Sequence, residues 1–201
     1  MEKKLNLGCG DQTPEGWINV DYAWGAKIAK IPIFNGLGLT NLKWDKKIII
    51  HNLLKHFPWE NESIDVVYSS HTLEHFTRED GFRFLNECYR VLKNGGIIRI
   101  IVPDLKAFTL EYLEGKMRAD FFVENLLVLY PESKNFIKKF LIPFVSFPHK
   151  CMYDTQTLIG ILKSIGFKVK EKKGYDSLIT DIKNIEILSR TENAVIVEGI
   201  K

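Results

Sequence analysis

Lys4-Leu5-Asn6-Leu7-Gly8-Cys9-Gly10-Asp11 is the stretch that decides the fold, and an acid, Asp21, ends the next apolar run, Trp17-Ile18-Asn19-Val20. A short buried strand that runs into Gly-x-Gly lets a ligand approach the backbone, because glycine has no side chain to stand in the way. A carboxylate at the end of the neighbouring strand can accept hydrogen bonds from both hydroxyls of a ribose. The pairing therefore predicts a nucleoside site.

The composition is that of a globular protein. The chain has 201 residues, of which 45% are hydrophobic and 26% are charged. We expect a single domain over residues 1–201, which on folding buries roughly 70% of the surface that the unfolded chain exposes. The formal net charge of +3 is too small and too evenly spread to indicate a nucleic-acid partner.

The cysteines and the apolar segments bear on the compartment. The three cysteines, Cys9, Cys88 and Cys151, are odd in number and lack CxxC spacing, which favours a reducing cytoplasm over a disulfide framework. The amino terminus lacks the apolar core of a signal peptide, and the longest uncharged aromatic segment is too short to span a bilayer. We therefore predict a cytoplasmic protein without a transmembrane segment.

Short apolar, β-branched runs indicate strands that are covered on both faces. They lie at residues 4–8, 17–21, 47–50, 64–69 and 96–102. Two further strands are predicted separately, at 167–172, where alternating lysines indicate a solvated edge, and at 194–200. Helical segments alternate with the later runs. This succession predicts an open, doubly wound α/β sheet.

Two helices are predicted with their ends. The first spans residues 78–92, where apolar residues recur at helical spacing: Phe82, Leu85, Tyr89 and Leu92. Asn94-Gly95-Gly96 supplies its stop before the next strand. The second ends at Ile165 and begins at Asp154 or Thr155, either of which can cap it.

Three further stretches complete a pattern with the first. They are Gly16-Trp17-Ile18-Asn19-Val20-Asp21, Leu73-Glu74-His75-Phe76 and Val91-Leu92-Lys93-Asn94-Gly95-Gly96. Together with Leu5-Asn6-Leu7-Gly8-Cys9-Gly10, they resemble a subgroup of the class I S-adenosylmethionine-dependent methyltransferases, over most of residues 1–105. The resemblance implies a Rossmann-like, mostly parallel seven-stranded sheet with an antiparallel last strand. It also implies S-adenosyl-L-methionine as cofactor, S-adenosyl-L-homocysteine as product, and methyl transfer by in-line displacement.

The chain departs from the general pattern of that family at a few positions. Only six residues, 11–16, separate Gly10 from Trp17, whereas a parallel crossover usually takes a dozen or more and carries a helix. Asn6 stands where many relatives have an acid, and Gln12 where many have a third glycine. These departures are those of the subgroup.

The resemblance places the cofactor at the carboxyl ends of the first four strands, where an open α/β sheet binds ligands. Gly8, Cys9 and Gly10 then line the amino-acid half, and Asp21 binds the ribose. Asn52 stands where the family commonly has an aspartate that meets the adenine amino group, and its carbonyl oxygen can accept the same hydrogen bond. Other predicted contacts are Tyr22 and Leu53, which could pack on the adenine or belong to the core, and Ser69, Ser70 and His71.

The run His71-Thr72-Leu73-Glu74-His75 also has the His-x-x-Glu-His spacing of inverted zinc peptidases. It follows a strand instead of lying inside a long helix, and the sequence identifies no third ligand, so we predict no metal. Two interpretations remain. Either Glu74 and His75 cap or brace the next helix, or His71 faces the transferred methyl group with His75 behind it or assisting as base. For a hydroxyl acceptor the candidate catalytic residues are His71, His75 and His149.

Residues 105–153 interrupt the sheet with an insertion rich in aromatic side chains, which are Phe108, Tyr112, Phe121, Phe122, Tyr130, Phe136, Phe140, Phe144 and Phe147. The insertion could form the roof of an acceptor pocket. A dimer surface, a helical pair with its own core, and attachment to a lipid-linked acceptor at a membrane surface remain alternatives. At its end, Tyr153 and Asp154 either reach the acceptor or anchor the loop and cap the helix.

The function predicted from the sequence is therefore methyl transfer to a small-molecule, glycan or lipid-linked acceptor, by a monomer or homodimer. The alternative is a protein that binds S-adenosylmethionine without catalysis and serves as a regulatory or interaction partner.

Overall fold

The structure is a computed structural model that describes residues 2–30, 44–131, 135, 142 and 146–201. Its strands are β1 (Lys4–Leu7), β2 (Ile18–Asp21), β3 (Ile49–Ile50), β4 (Ile64–Ser70), β5 (Leu92–Pro103), β6 (Lys168–Glu171) and β7 (Ala194–Ile200). The described α-helices are α1 (Trp24–Ala29), α2 (Arg78–Val91), α3 (Leu105–Leu113), α4 (Ala119–Asn125) and α5 (Thr155–Ile165). Short 3₁₀ turns lie at Leu73–His75, Ile182–Asn184 and Leu188–Thr191.

The seven strands form one sheet in the order β3-β2-β1-β4-β5-β7-β6. Strands β1 to β5 pair in parallel, and β7 runs antiparallel to both β5 and β6. The predicted fold, a mostly parallel seven-stranded sheet with an antiparallel last strand, is confirmed. The strand order reverses at β1 and β4, so a ligand cleft is expected beyond their carboxyl ends.

The two faces of the sheet are covered differently. Helices α2 and α5 pack on one face, over a core that includes Leu7, Val67 and Ile98, each 0% exposed. The other face buries Trp17, Tyr68 and six isoleucine or valine side chains, three of them from residues 179–185. Among the described residues, this face is covered by the turns of the segment between β6 and β7, because the short connection after β1 has no helix to place there.

The connection over residues 11–16 nevertheless joins two neighbouring parallel strands. Asn6 is 3% exposed, and its amide nitrogen donates to the Gln12 carbonyl at 2.8 Å and to Asn19 Oδ1 at 2.9 Å. An acid at position 6 would have no N–H to donate to these two oxygens. The asparagine therefore fits the short connection, which explains one departure from the general pattern.

Helix α2 is rotated relative to the predicted stripe. Its buried residues are Gly81, Phe84, Leu85, Cys88 and Val91, whereas Phe82 is 46% exposed. The prediction of an apolar face through Phe82 was wrong, because the buried face runs through Gly81 and Cys88, with Leu73 and Tyr153 packed against Gly81.

The helix and strand ends differ in part from the predicted ones. Asn94-Gly95-Gly96 does not separate α2 from the next strand, since β5 begins directly at Leu92 and absorbs these residues in a register shift opposite Ile64 and Val66. By contrast, Asp154 caps α5 as predicted, with its side chain accepting from Thr157 N at 2.7 Å. Tyr153 is buried and pairs with Asp104 in an isolated bridge. Tyr153 therefore anchors the end of the loop, and Asp154 caps the helix.

The insertion is exposed where the structure describes it. None of the residues of the described helices α3 and α4 is buried, and Phe121 and Tyr130 are 52% and 51% exposed. Tyr112 and Phe122 stack on each other with ring centroids 5.1 Å apart. Phe136, Phe140 and Phe144 lie outside the described residues. None of the helices within the described ranges has the length and apolar character needed to cross a membrane.

Candidate functional site

The glycine loop after β1 and the acid after β2 are in direct contact. Gly10 N donates to Asp21 Oδ2 at 2.8 Å, and the amides of Gly8 and Cys9 donate to the Val20 carbonyl at 2.9 and 3.1 Å. Gly8 and Gly10 have φ of +74° and +56°, in the left-handed region where glycine carries no penalty. The two features that the sequence analysis paired therefore lie side by side.

The two glycines differ in what surrounds them. A Cβ on Gly8 would lie 2.1 Å from Thr72 Oγ1, whereas no described atom lies within 4 Å of the Cβ position on Gly10. Gly8 is thus needed for packing against Thr72, and Gly10 faces open space. This is the cradle that a ligand in contact with the backbone requires. Thr72 was not predicted, because only the fold brings it against the loop.

Asp21 is 8% exposed and held in one orientation. Its Oδ1 accepts from Ala23 N at 2.7 Å, while Oδ2 accepts from Gly10 N. Because each carboxylate oxygen offers two lone pairs, both oxygens keep acceptor capacity toward hydroxyl groups. The two acceptor oxygens of Asp21 and the open space over Gly10 fit the ribose of an adenosyl group.

The three residues predicted near the adenine differ in how accessible they are to a ligand. Tyr22 is 47% exposed beside Asp21, and Lys27 Nζ lies 3.3 Å from its ring centroid. Leu53 belongs to the main core. Asn52 Oδ1 accepts from Leu54 N at 3.0 Å and closes a turn, so its second lone pair alone is left for an adenine contact.

The residues that end β4 line the other side of the loop. Ser69 is 1% exposed and donates to the Leu7 carbonyl at 3.0 Å, which ties β4 to β1. Ser70, Gly8 and Cys9 line a narrow cavity of about 10 Å³ together with Arg190. Burial, with the nearby Asp21 charge, raises the pKa of the Cys9 thiol to about 12, so this thiol is not a nucleophile at neutral pH.

His71 connects this loop to a second cavity. Its φ is +51°, a left-handed backbone that is strained in a residue with a side chain. Its Nε2 lies 2.9 Å from the Arg190 carbonyl and its Nδ1 lies 3.4 Å from Glu74 Oε1. Burial alone lowers the pKa of His71, but the contact with Glu74 and the bond to the Arg190 carbonyl outweigh burial, so the pKa is raised.

The three predicted histidines converge on the same place. His75 and His149 have ring centroids 5.1 Å apart, and His149 Nε2 lies 3.9 Å from Glu74 Oε1. Burial lowers the pKa of His149, and the Glu74 charge opposes that effect only in part. Glu74 and His75 do not cap α2, because Thr77 accepts from Asp80 N in that role. The prediction that these residues cap the helix was therefore wrong, and Glu74 is 0% exposed.

A cavity of about 370 Å³ opens over this cluster. Its lining comes from β5, the insertion and the segment before β7, through His71, Glu74, His75, Pro103, Phe108, Asn125, Leu127, Phe147, His149, Glu192 and Asn193. Phe108 and Phe147 therefore cover part of it. Nothing in the sequence pattern singles out Asn125, Glu192 or Asn193, because no local signal marks residues that only the packing of distant loops brings together.

Residues 5–100 match the family model described as a methyltransferase domain. This match spans just under half of the chain. The matched segment contains both the glycine loop and Asp21, and it ends within β5. No curated protein sequence matches the chain.

Solved methyltransferases share the fold. A SAM-dependent methyltransferase from Archaeoglobus fulgidus is 18% identical, with a TM-score of 0.52 over 100% of this chain and 86% of that one. One from Thermotoga maritima is 17% identical, with a TM-score of 0.51 over 100% of this chain and 83% of that one. A structure of PigF with SAH is 13% identical, with a TM-score of 0.50 over 100% of this chain and 50% of that one.

These likenesses establish the fold. The family model is described as a methyltransferase domain, two of the solved structures named above are described as SAM-dependent and the third holds SAH, in agreement with the predicted cofactor, S-adenosyl-L-methionine. The fit is visible in the site itself, where open backbone at Gly10 adjoins an oriented carboxylate at Asp21.

Proposed function

We propose that this methyltransferase transfers the methyl group to a hydroxyl of a small-molecule, glycan or lipid-linked acceptor, by in-line displacement. Two observations carry the proposal: the contact of Gly10 N with Asp21 Oδ2 at 2.8 Å, and the cavity lined by three histidines that include His71, the residue after Ser70. When bound, the cofactor supplies an activated sulfonium methyl. The protein's contribution is then mainly to hold the reactants together and in line.

Cofactor binding is assigned to the glycine loop and to Asp21. The carboxylate accepts the ribose hydroxyls through lone pairs that Gly10 N and Ala23 N leave free, and the missing side chain at Gly10 leaves room for the ligand. Tyr22, beside Asp21, offers its exposed ring to the adenine. Ser69 and Leu53 act through packing, since both are buried, while Ser70 and Cys9 line the narrow cavity next to Gly8.

His71 is assigned as the residue that accepts the hydroxyl proton. It follows Ser70 on the cofactor side and also lines the larger cavity. Its Nε2–H donates to the Arg190 carbonyl, which leaves Nδ1 to take the proton, at 3.4 Å from the carboxylate oxygen Glu74 Oε1. The surroundings therefore stabilise the imidazolium that proton transfer would create.

The larger cavity is proposed as the acceptor site, with the insertion as its roof. Phe108, Leu127 and Phe147 supply apolar surface, and Asn125, Glu192 and Asn193 supply polar groups, a mixture that suits a hydroxylated ligand. We also propose that the protein works in the cytoplasm, as a monomer or homodimer and without a nucleic-acid partner. The three free cysteines and the net charge of +3 support the compartment and the absence of nucleic acid.

The cofactor assignment is tested by titrating S-adenosylhomocysteine into the wild type and two matched variants by calorimetry. Asp21→Asn keeps the shape but removes the charge, and should weaken binding by about 100-fold, since a hydrogen bond to a charged group contributes about 1.5–3 kcal/mol. Asp11→Asn removes an exposed acid from the same loop and should leave binding unchanged. Equal affinity of the two variants would contradict the assignment.

The acceptor assignment is tested by product release. Wild type should release S-adenosylhomocysteine when S-adenosylmethionine is supplied together with separate water-soluble and lipid-extracted fractions of a cell lysate. The active fraction separates a small molecule or glycan from a lipid-linked acceptor. His71→Asn should lower kcat by about 100-fold while leaving cofactor affinity unchanged. Tight cofactor binding without turnover in any fraction would support the non-catalytic alternative.

A further inference from the structure

Glu74, His75 and His149 form a cluster that the proposed transfer reaction does not need in full. One nitrogen of each histidine and one carboxylate oxygen of Glu74 all lie within 4.8 Å of one another. Glu74 and His149 are buried and His75 is half-buried. The sequence argument against a metal was that no third ligand could be identified, and the fold brings His149 into that position.

Three buried polar atoms of this cluster, two on Glu74 and one on His149, lack hydrogen-bond partners among the described residues. Glu74 is 0% exposed, and neither of its carboxylate oxygens has a hydrogen-bond partner among the described residues. The buried Nδ1 of His149 also has none within the described ranges. Buried polar groups are nearly always paired, and a buried carboxylate without a donor carries a large desolvation cost. An unpartnered carboxylate beside two imidazoles indicates that a cation belongs there.

The described lysines and arginines do not supply that cation. Within the described part of the chain, its ion-pair contacts at 4.0 Å or less are to His71 Nδ1 at 3.4 Å and His149 Nε2 at 3.9 Å. Neither contact has the geometry of a hydrogen bond to the carboxylate. No lysine or arginine of the described residues makes an ion pair with Glu74 at that distance.

We propose that Glu74, His75 and His149 bind one divalent transition-metal ion. Two imidazoles and one carboxylate are the donor set of three-ligand zinc sites and suit Zn²⁺, Co²⁺ or Fe²⁺ better than Mg²⁺ or Ca²⁺, which take oxygen ligands. Metal bonds of about 2.0–2.2 Å place neighbouring ligand atoms of a tetrahedral site about 3.4 Å apart. The ligand atoms, which lie within 4.8 Å of one another, would therefore move closer together on binding.

Backbone contacts hold Glu74, His75 and His149 close to one another. Glu74 and His75 share the 3₁₀ turn Leu73–His75. The strand-like segment that carries His149 is tied to the same turn, because Lys150 N and Cys151 N both donate to the Glu74 carbonyl, at 2.8 and 3.1 Å. A ligand from a distant part of the chain is thus fixed beside the other two.

Three protein ligands leave a fourth position open, and it faces the acceptor cavity of about 370 Å³. This consequence rests on the proposed function. An acceptor hydroxyl bound to the ion would lose its proton more readily, because a divalent metal lowers the pKa of a bound oxygen. The proton passes to His71, the oxygen forms the new bond to the methyl carbon, and the carbon–sulfur bond breaks to leave S-adenosylhomocysteine.

The site is tested with Co²⁺, whose visible absorption reports its coordination. Chelator-treated protein should bind one equivalent and develop the intense absorption of a four-coordinate site. His149→Ala and Glu74→Gln should each weaken binding by at least 100-fold. His56→Ala removes an exposed histidine outside the cluster and should leave affinity unchanged. No saturable binding by the wild type, or binding that both cluster variants retain, would overturn the proposal.

Folding and the proposed function are separated by a second titration on the same samples. Each variant is titrated with S-adenosylhomocysteine, whose binding does not involve the cluster and reports a folded domain. Variants that bind this product normally but lose Co²⁺ support the metal site. Wild type that binds the product and no Co²⁺ refutes the metal site alone. Wild type that binds Co²⁺ and neither binds nor releases the product refutes the proposed function alone.

Discussion

Replacement of Arg99 should cause the largest loss of stability of the substitutions considered, because this side chain neutralises two buried acids. Arg99 is 0% exposed, and Glu186 and Glu198 are each 3% exposed. Its guanidinium donates to Glu186 at 2.7 and 3.1 Å and to Glu198 at 3.2 Å. It also donates to the carbonyls of Asp176 and Lys173, at 2.9 and 3.0 Å.

The magnitude follows from what Arg99→Met leaves behind. Methionine fills a similar apolar volume but leaves the two buried carboxylates without a positive partner. Removing one partner of a buried ion pair destabilises the fold by about 3–5 kcal/mol. For a chain of 201 residues, each kcal/mol lowers the melting temperature by about 2–4 °C, so a decrease of about 6–20 °C is expected. Urea unfolding followed by circular dichroism measures the free energy of unfolding directly.

Two further variants test the reasoning behind this value. Neutralising the acids as well, in Arg99→Met with Glu186→Gln and Glu198→Gln, should recover most of the loss, because no charge then remains buried. Arg118→Met breaks the exposed pair with Asp120 and should cost below about 0.5 kcal/mol. If Arg99→Met is no more destabilising than Arg118→Met, or if the triple variant is less stable than the single one, the electrostatic account is wrong.

Two other predictions concern stability. Gly8→Ala combines a left-handed φ with a 2.1 Å approach to Thr72 and should lower the free energy of unfolding by more than about 2 kcal/mol. Gly10→Ala has the same backbone strain but open space around the new methyl group, so it should cost about 1 kcal/mol and weaken S-adenosylhomocysteine binding. Equal free energies of unfolding for the two variants would refute the packing argument. The hydrogen bond from Arg90 lowers the pKa of Glu87 from 4.5 to about 2, so Glu87 stabilises the fold above pH 4.5 and loses this contribution as the pH falls through 2. Glu87→Gln should therefore cost about 1–2 kcal/mol at pH 7 after allowance for solvent screening, and urea unfolding of both proteins from pH 7 to pH 2 should show the difference shrinking; a constant difference would contradict the assignment.

Much of the architecture could be predicted because it depends on local pattern. The β-branched runs predicted the first five strands, the last two were predicted from the segments that follow the second helix, and Asp154, one of two candidate caps, proved to cap α5. The pairing of Gly10 with Asp21 was predictable as well, because the carboxyl ends of neighbouring parallel strands meet at one edge of the sheet. These inferences need only the residues of one element, or of two elements adjacent in the chain.

The remainder depended on contacts between distant parts of the chain. Periodicity alone did not tell which face of α2 is buried, since Phe82 is exposed while Gly81 is buried against Leu73 and Tyr153, which lie outside the helix. Nor did the sequence reveal that His149 lies beside Glu74 and His75, because that contact is created by backbone hydrogen bonds from residues 150 and 151 to the Glu74 carbonyl. The sequence by itself determined the seven-stranded sheet and the glycine loop and acid that meet at one of its edges. Only the tertiary structure decided which side chains meet above that edge, because packing between distant segments leaves no local signal in the chain.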